Sequence, residues 1–313
     1  MENLTTFTSS RGVLKSCSAH NPNPVSSSNQ LHDAEVHHLP SGSSVYVCTD
    51  ALRLFSVQKL PLINKPFVLV TGDSDTPITS ELLADFDIQR IVNNEYLITW
   101  YAQNCLTTHP KLEQLPIGLD YHTMWDHPGH WGMRRQSPVA QEHAILSVLR
   151  QSSPFQNRLL GGYCNWHFAI DRGDRRECKE KIQSSIAFFE PHPIPRMATW
   201  QRQSQIMFVV SPEGAGVDCH RTWEALLLGC IPVVKRNSLT PLFSDLPVVV
   251  LDDWSQFSKD YLLTQASHCL GKKYDFSSLF LSHWVAKIGL KNPTRLPLMD
   301  LAEFREFLIG ESF

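Results

Sequence analysis

The sequence predicts an α/β protein of two domains with a cleft between them. Three observations carry that reading. Short continuous apolar runs, Phe67–Gly72 and Ile206–Val210 among them, look like strands buried on both faces, as in parallel sheets. Segments of helical character separate these runs, and such alternation marks α/β folds. The chain has 313 residues, a length that suggests two cores, and the pattern restarts after Ser152-Ser153-Pro154.

The elements fall in this order. Residues 1–43 are rich in Ser, Asn, Thr and Pro and read as a disordered tail. A first domain over 44–153 opens on a short strand at Val45-Tyr46-Val47-Cys48, followed by a short helix over 51–58. Then come the Phe67–Gly72 strand, a helix over 78–86, and strands at 97–102 and 115–119. Residues 121–138 read as loop, and 141–151 as a helix. A second domain over 154–290 holds a strand within 159–169, a long helix over 174–189 and the Ile206–Val210 strand. A helix over 218–228, strands at 231–234 and 247–251 and a helix over 254–263 complete it. A final amphipathic helix over 298–309 lies in a closing segment, 291–313.

Composition narrows the function classes. Hydrophobic residues make up 42% and charged residues 19%, ordinary values for a globular chain. The formal net charge of -3 gives no global field for nucleic acid or an anionic membrane, so any anion site must be local. The eight cysteines form no C-x-x-C pair, which argues against a zinc ribbon or a thioredoxin-type motif. No apolar run approaches the ~18 residues of a membrane span, and the N-terminus has no apolar stretch of signal-peptide length. A reducing, cytoplasmic location is the expectation.

The chemistry concentrates in residues 211–234. A buried strand ends at Val210, and the carboxyl ends of strands are where open α/β sheets bind ligands. Ser211 follows, and Gly214 and Gly216 permit close backbone approach. A helix comes next, and its start suits a phosphate. His220 and Arg221 in its first turn add charge-assisted bonds to a diphosphate. Glu224 stands one turn, about 5.4 Å, beyond His220 on the same face, where its carboxylate can accept from ribose hydroxyls. Asp218 reads as the N-cap and competes with phosphate for the same N–H groups.

These residues resemble the donor-binding region of exostosin-like glycosyltransferases, family 47 and its small soluble relatives. The matching residues are Ser211-Pro212-x-Gly214-x-Gly216, Arg221-x-x-Glu224-Ala225-Leu226 and Gly229-Cys230-Ile231-Pro232-Val233-Val234. Stretches 67–75, 100–104, 115–120 and 171–176 are also similar. The resemblance implies a GT-B fold, two Rossmann-like domains facing across a cleft, with donor binding in the second and a glycan acceptor in the first. It implies inverting transfer from a nucleotide diphosphate sugar, a UDP- or GDP-sugar, without a metal cofactor.

Other clusters complete the candidate site. Arg172, Arg175 and Arg176 surround a helix start, where cations oppose the helix dipole unless an anion is present. The resemblance implies a donor-phosphate role for at least one of them. Asp73-Ser74-Asp75 follows a buried strand. It matches a D-x-D metal triplet, but a carboxylate at a strand end also suits a general base, and Asp73 is the candidate, with Asp120 and His122 as competitors. His122, His127 and His130 share a loop with Trp125 and Trp131. Their spacing fits no standard metal site, and the two indoles suit the face of a sugar. The alternative to an enzyme is a module that binds a glycan or nucleotide sugar without turnover.

Overall fold

A computed structural model of the chain describes residues 1–31, 36–127, 129–290, 297–305 and 307. Two parallel sheets form its frame, each flanked by helices. The first has β1 (Ser43–Cys48), β2 (Phe67–Gly72), β3 (Leu97–Ala102) and β4 (Leu112–Gln114) in the order β1-β2-β3-β4. The second has β5 (Leu159–Cys164), β6 (Ala187–Phe189), β7 (Ile206–Val210), β8 (Ile231–Lys235) and β9 (Val249–Leu251) in the order β6-β5-β7-β8-β9. Every pairing is parallel. The apolar runs at β2 and β7 lie in the interior of their sheets, and their burial on both faces explains why they lack polar alternation.

The expected disordered tail is corrected by packing. Ser10–Ser16 is a helix whose N-cap Ser9 accepts from the Gly12 N–H. Its Val13 and Leu14, with Cys17, lie in a core shared with Val68 and Val70 of β2 and with Leu281, Trp284 and Val285. The polar composition of residues 1–43 hides this, because only one face of one short helix is apolar. The helix Leu281–Ile288 therefore covers the first sheet, while Pro138–Gln151 packs into a core with Trp200, Val209 and Leu226 beside the second. The two packing units are thus interleaved in sequence.

Residues 115–119 do not form a strand. The sheet's fourth strand is Leu112–Gln114, and the chain then crosses toward the second sheet. Gly118 turns there with φ +65°, and a Cβ at that position would sit 2.2 Å from the Thr8 carbonyl oxygen. The long helix read over 174–189 is Arg175–Lys181 followed by β6, and the helix Arg196–Gln203 was not expected. The final helix covers Leu301–Arg305; residues 298–300 precede it, and 306, 308 and 309 of its expected span lie outside the described residues. Among the described residues, no helix is long and apolar enough to cross a membrane.

Candidate functional site

The second sheet contains a topological switch point and the first does not. Its chain runs from β5 outward to β6, then returns to pair β7 on the other side of β5. The crevice outside such a reversal is the usual ligand site of an open α/β sheet. The loops that border it are Asn165–Asp174 after β5 and Ser211–Cys219 after β7.

Two guanidiniums meet in that crevice. Arg175, 9% exposed, donates to three carbonyl oxygens: Nε to Glu213 at 3.2 Å, and Nη1 to Trp166 and Ala169 at 3.2 and 3.3 Å. Its Nη2 lies 3.1 Å from where a Gly214 Cβ would stand, so the absent side chain lets the loop close on the cation. Arg221 donates through Nη1 to Ser211 Oγ at 3.3 Å and to the Pro212 carbonyl at 3.2 Å. Neither forms an ion pair among the described residues. Burial, then the neighbouring Arg221 charge, lowers the Arg175 pKa to about 10. Arg176 instead pairs with Asp171 at the surface, and Arg172 is exposed. Of the three arginines, the structure brings Arg175 alone to Gly214.

The helix His220–Leu227 starts without a side-chain cap, its N-cap residue being Cys219. Asp218 is not the cap. Its Oδ2 accepts from the Ile117 N–H and its Oδ1 from Trp223 Nε1, each at 2.8 Å. Asp218 thus ties the helix to the segment that follows β4. Its two oxygens are engaged by these donors, and it does not cap the helix. Burial raises the Asp218 pKa to about 6, against the partial relief from these two donors. A folded-state value above the ~3.9 of an unfolded Asp stabilises the fold fully below pH ~3.9. That stabilisation is lost as pH rises through 6. Wild type is therefore expected to lose up to about 3 kcal/mol relative to Asp218→Asn between pH 4 and pH 7. Denaturant unfolding of both proteins across that range measures the difference; a constant difference rejects the assignment.

Glu224 lies on the same helix, and its Oε1 is engaged by Arg196 Nη2. Arg196 also donates through Nη1 to the Asp120 carbonyl at 2.6 Å and to Gln141 Oε1 at 3.2 Å. Nothing local in the sequence marks Arg196, since it stands in a proline-rich stretch without periodicity. Its guanidinium links the helix His220–Leu227 to the segment carrying Asp120.

Between the two sheets lies a second cluster. His220 Nδ1 donates to the Gly118 carbonyl at 2.7 Å, which leaves Nε2 as the acceptor of the neutral ring. His122 sits on the short helix His122–Asp126, where a loop was expected, with its ring centroid 6.2 Å from that of His220. Its Nδ1 is 3.2 Å from Asp120 Oδ1. Asp120 is deeply buried. Burial raises its pKa, but His122, His220 and Arg196 outweigh that and hold it well below the usual carboxylate range. The ionised carboxylate orients the His122 ring and leaves its Nε2 as the basic atom. The His122 pKa is lowered, by burial first, opposed by Asp120 and Asp73 and assisted by Arg11 and His220.

Asp73 closes β2 with φ 52°, a left-handed conformation unusual for a non-glycine residue. Its carboxylate accepts from Ser26 Oγ at 2.8 Å and faces Arg11 Nε at 3.4 Å. The Asp73-x-Asp75 turn reaches the loop Ser211–Cys219: a Gly216 Cβ would lie 3.1 Å from both Asp75 Oδ1 and Asn104 Nδ2. Asn104, also left-handed at φ 49°, accepts from the Asp218 N–H at 2.8 Å. Trp125 stacks against Arg135, whose guanidinium lies 4.2 Å from the ring centroid. No group of three or more His, Cys, Asp or Glu able to hold a metal is found among the described residues. No family model matches the chain, and no curated protein matches it; what the chain does rests on the chemistry of this site.

Proposed function

We propose that the chain is a glycosyltransferase, moving a sugar from a nucleotide diphosphate sugar, UDP- or GDP-linked, to a hydroxyl of a glycan acceptor with inversion. The observation that carries this reading is the pair Arg175 and Arg221, two cations that form no ion pair among the described residues, beside Gly214 and Gly216 at a switch point. Like charges brought together in a partly dry crevice repel, and a diphosphate removes that cost. The uncapped start of helix His220–Leu227 adds N–H donors and the positive end of its dipole. Glu224, with Oε1 on Arg196, presents its other oxygen to the ribose.

In the reaction the acceptor O–H gives up its proton, its oxygen bonds to the anomeric carbon, and the bond from that carbon to the diphosphate breaks. The leaving diphosphate gains charge where Arg175, Arg221 and the helix start face it. His122, oriented by Asp120, takes the acceptor proton. Asp73 is the alternative base, but its carboxylate is held by Ser26 and Arg11.

The test is thermal unfolding with UDP, GDP and their sugars. A ligand at 100 times its Kd adds about 2.7 kcal/mol of stability. A clear rise in melting temperature is expected with one nucleotide family, followed by release of that nucleoside diphosphate in the presence of acceptor. No stabilisation by any nucleotide counts against the reading. Stabilisation without turnover favours a non-catalytic binding module.

A further inference from the structure

The helix Ser10–Ser16 delivers a buried cation to the cluster around His122. Arg11 is 4% exposed, although its residue class is rarely found so deep. Its Nη1 pairs with Asp126 Oδ2 at 2.5 Å, its Nη2 donates to Ser26 Oγ at 3.1 Å, and its Nε faces Asp73 Oδ2 at 3.4 Å. That Nε has no hydrogen-bond acceptor among the described residues. Asp126 stands one helical turn after His122, on the same face of the helix His122–Asp126. One guanidinium therefore spans the end of β2 and the helix that carries His122. A cation in the first turn of a helix opposes the dipole, so the local sequence does not favour Arg11 there; its partners do.

We propose that Arg11 is a positioning residue of the acceptor end of the site: it clamps Asp73 to the His122 helix, and makes the N-terminal segment a working part of the centre. The proposal rests on the reading in which His122 takes the acceptor proton. Four charged or titratable groups face His122: Asp120 from the crossing segment, Asp73 from the end of β2, Arg11 from the N-terminal helix and His220 from the donor-side helix. Arg11 opposes protonation of His122, and Asp73 favours it. The clamp holds these opposite charges in fixed register beside the ring.

The experiment is an NMR titration of the His122 imidazole in the full chain without ligand, its signal identified by loss in His122→Gln. Arg11→Met is expected to raise the titration midpoint by roughly 0.5 in pH, and Asp73→Asn to lower it by a similar amount. Arg11→Lys, which keeps the charge, is expected to stay near wild type. Structural damage alone would move both neutralising variants the same way, so opposite signs are the signature. Equal midpoints in wild type and Arg11→Met, or shifts of one sign in both variants, overturn the proposal. If Arg11→Met does not fold, a lowered midpoint in Asp73→Asn with an unchanged one in Arg11→Lys supports it, and an unchanged midpoint in Asp73→Asn overturns it. The titration needs no nucleotide. A chain indifferent to every nucleotide sugar sinks the transferase reading alone, whereas intact nucleotide binding without the coupling sinks the clamp alone.

Discussion

Deleting residues 1–20 is expected to give a chain that does not fold cooperatively at 25 °C. The segment supplies Phe7, Val13 and Leu14, each at most 2% exposed. Burial of such side chains contributes ~1.5–3 kcal/mol each, or about 6 kcal/mol for the three. The backbone adds more. Glu142, fully buried, accepts from the Thr6 N–H at 2.8 and 2.9 Å, from the Phe7 N–H at 3.0 Å and from Tyr121 Oη at 2.9 Å. Removing the segment strips this carboxylate of its backbone donors, and breaking the partners of a buried charge costs ~3–5 kcal/mol. The Leu119 and Leu281 N–H groups lose their acceptors, the Thr8 and Thr6 carbonyls. The total, about 10 kcal/mol, is comparable to the whole stability of a typical domain. Circular dichroism and denaturant unfolding of the truncated protein check this. A cooperative transition at the wild-type midpoint would show that the segment is dispensable.

That result bears on what a sequence can reveal. The strands β2, β3 and β7 were legible to the residue: burial on both faces makes β2 and β7 continuous apolar runs, and the half-exposed β3 is marked by its β-branched and aromatic residues. The edge strand β6 was not. Ala187–Phe189 has three residues, follows a helix directly and pairs only with β5, so it carries too few apolar positions to separate from the helix before it. The helix Ser10–Ser16 escaped notice for a different reason. Its sequence, Ser-Arg-Gly-Val-Leu-Lys-Ser, has low helix propensity and is ordered by tertiary contacts with residues over 100 positions away, such as Asp126 and Leu281.

The site divides in the same way. Gly214, Gly216, Ser211 and Arg221 are contiguous in sequence, so strand, loop and helix place them together by local geometry alone. Asp218 was assigned the wrong partner, because local spacing favours a cap while the real donors are Trp223 and the distant Ile117. Arg196 and Arg11 form ion pairs across 28 and more positions, and nothing local marks either. Arg172 and Arg176 are exposed where Arg175 is buried: Arg172 lies in the turn before the helix, and Arg176 differs from Arg175 in helix phase.

Replacing Arg221 and Arg175 by Met separates binding from folding. Arg221→Met is expected to melt at or above the wild-type temperature without ligand, since it relieves repulsion with Arg175 and gives up two bonds of 3.2–3.3 Å at a partly buried position. Its affinity for UDP or GDP, whichever nucleotide stabilises wild type, is expected to fall about 10- to 100-fold, the effect of losing one charge-assisted contact of ~1.5–3 kcal/mol. Arg175→Met is expected to weaken binding by a similar factor and also to lose about 1–3 kcal/mol of stability, because the Glu213, Trp166 and Ala169 carbonyls forfeit their donor. Titration calorimetry and melting curves on the same preparations read both quantities. The contrast is informative because a residue that serves only the fold cannot be removed at no cost to stability. One kept at the expense of like-charge repulsion is kept for a ligand. Unchanged nucleotide affinity in Arg221→Met, with the protein fully folded, would remove the diphosphate from this crevice.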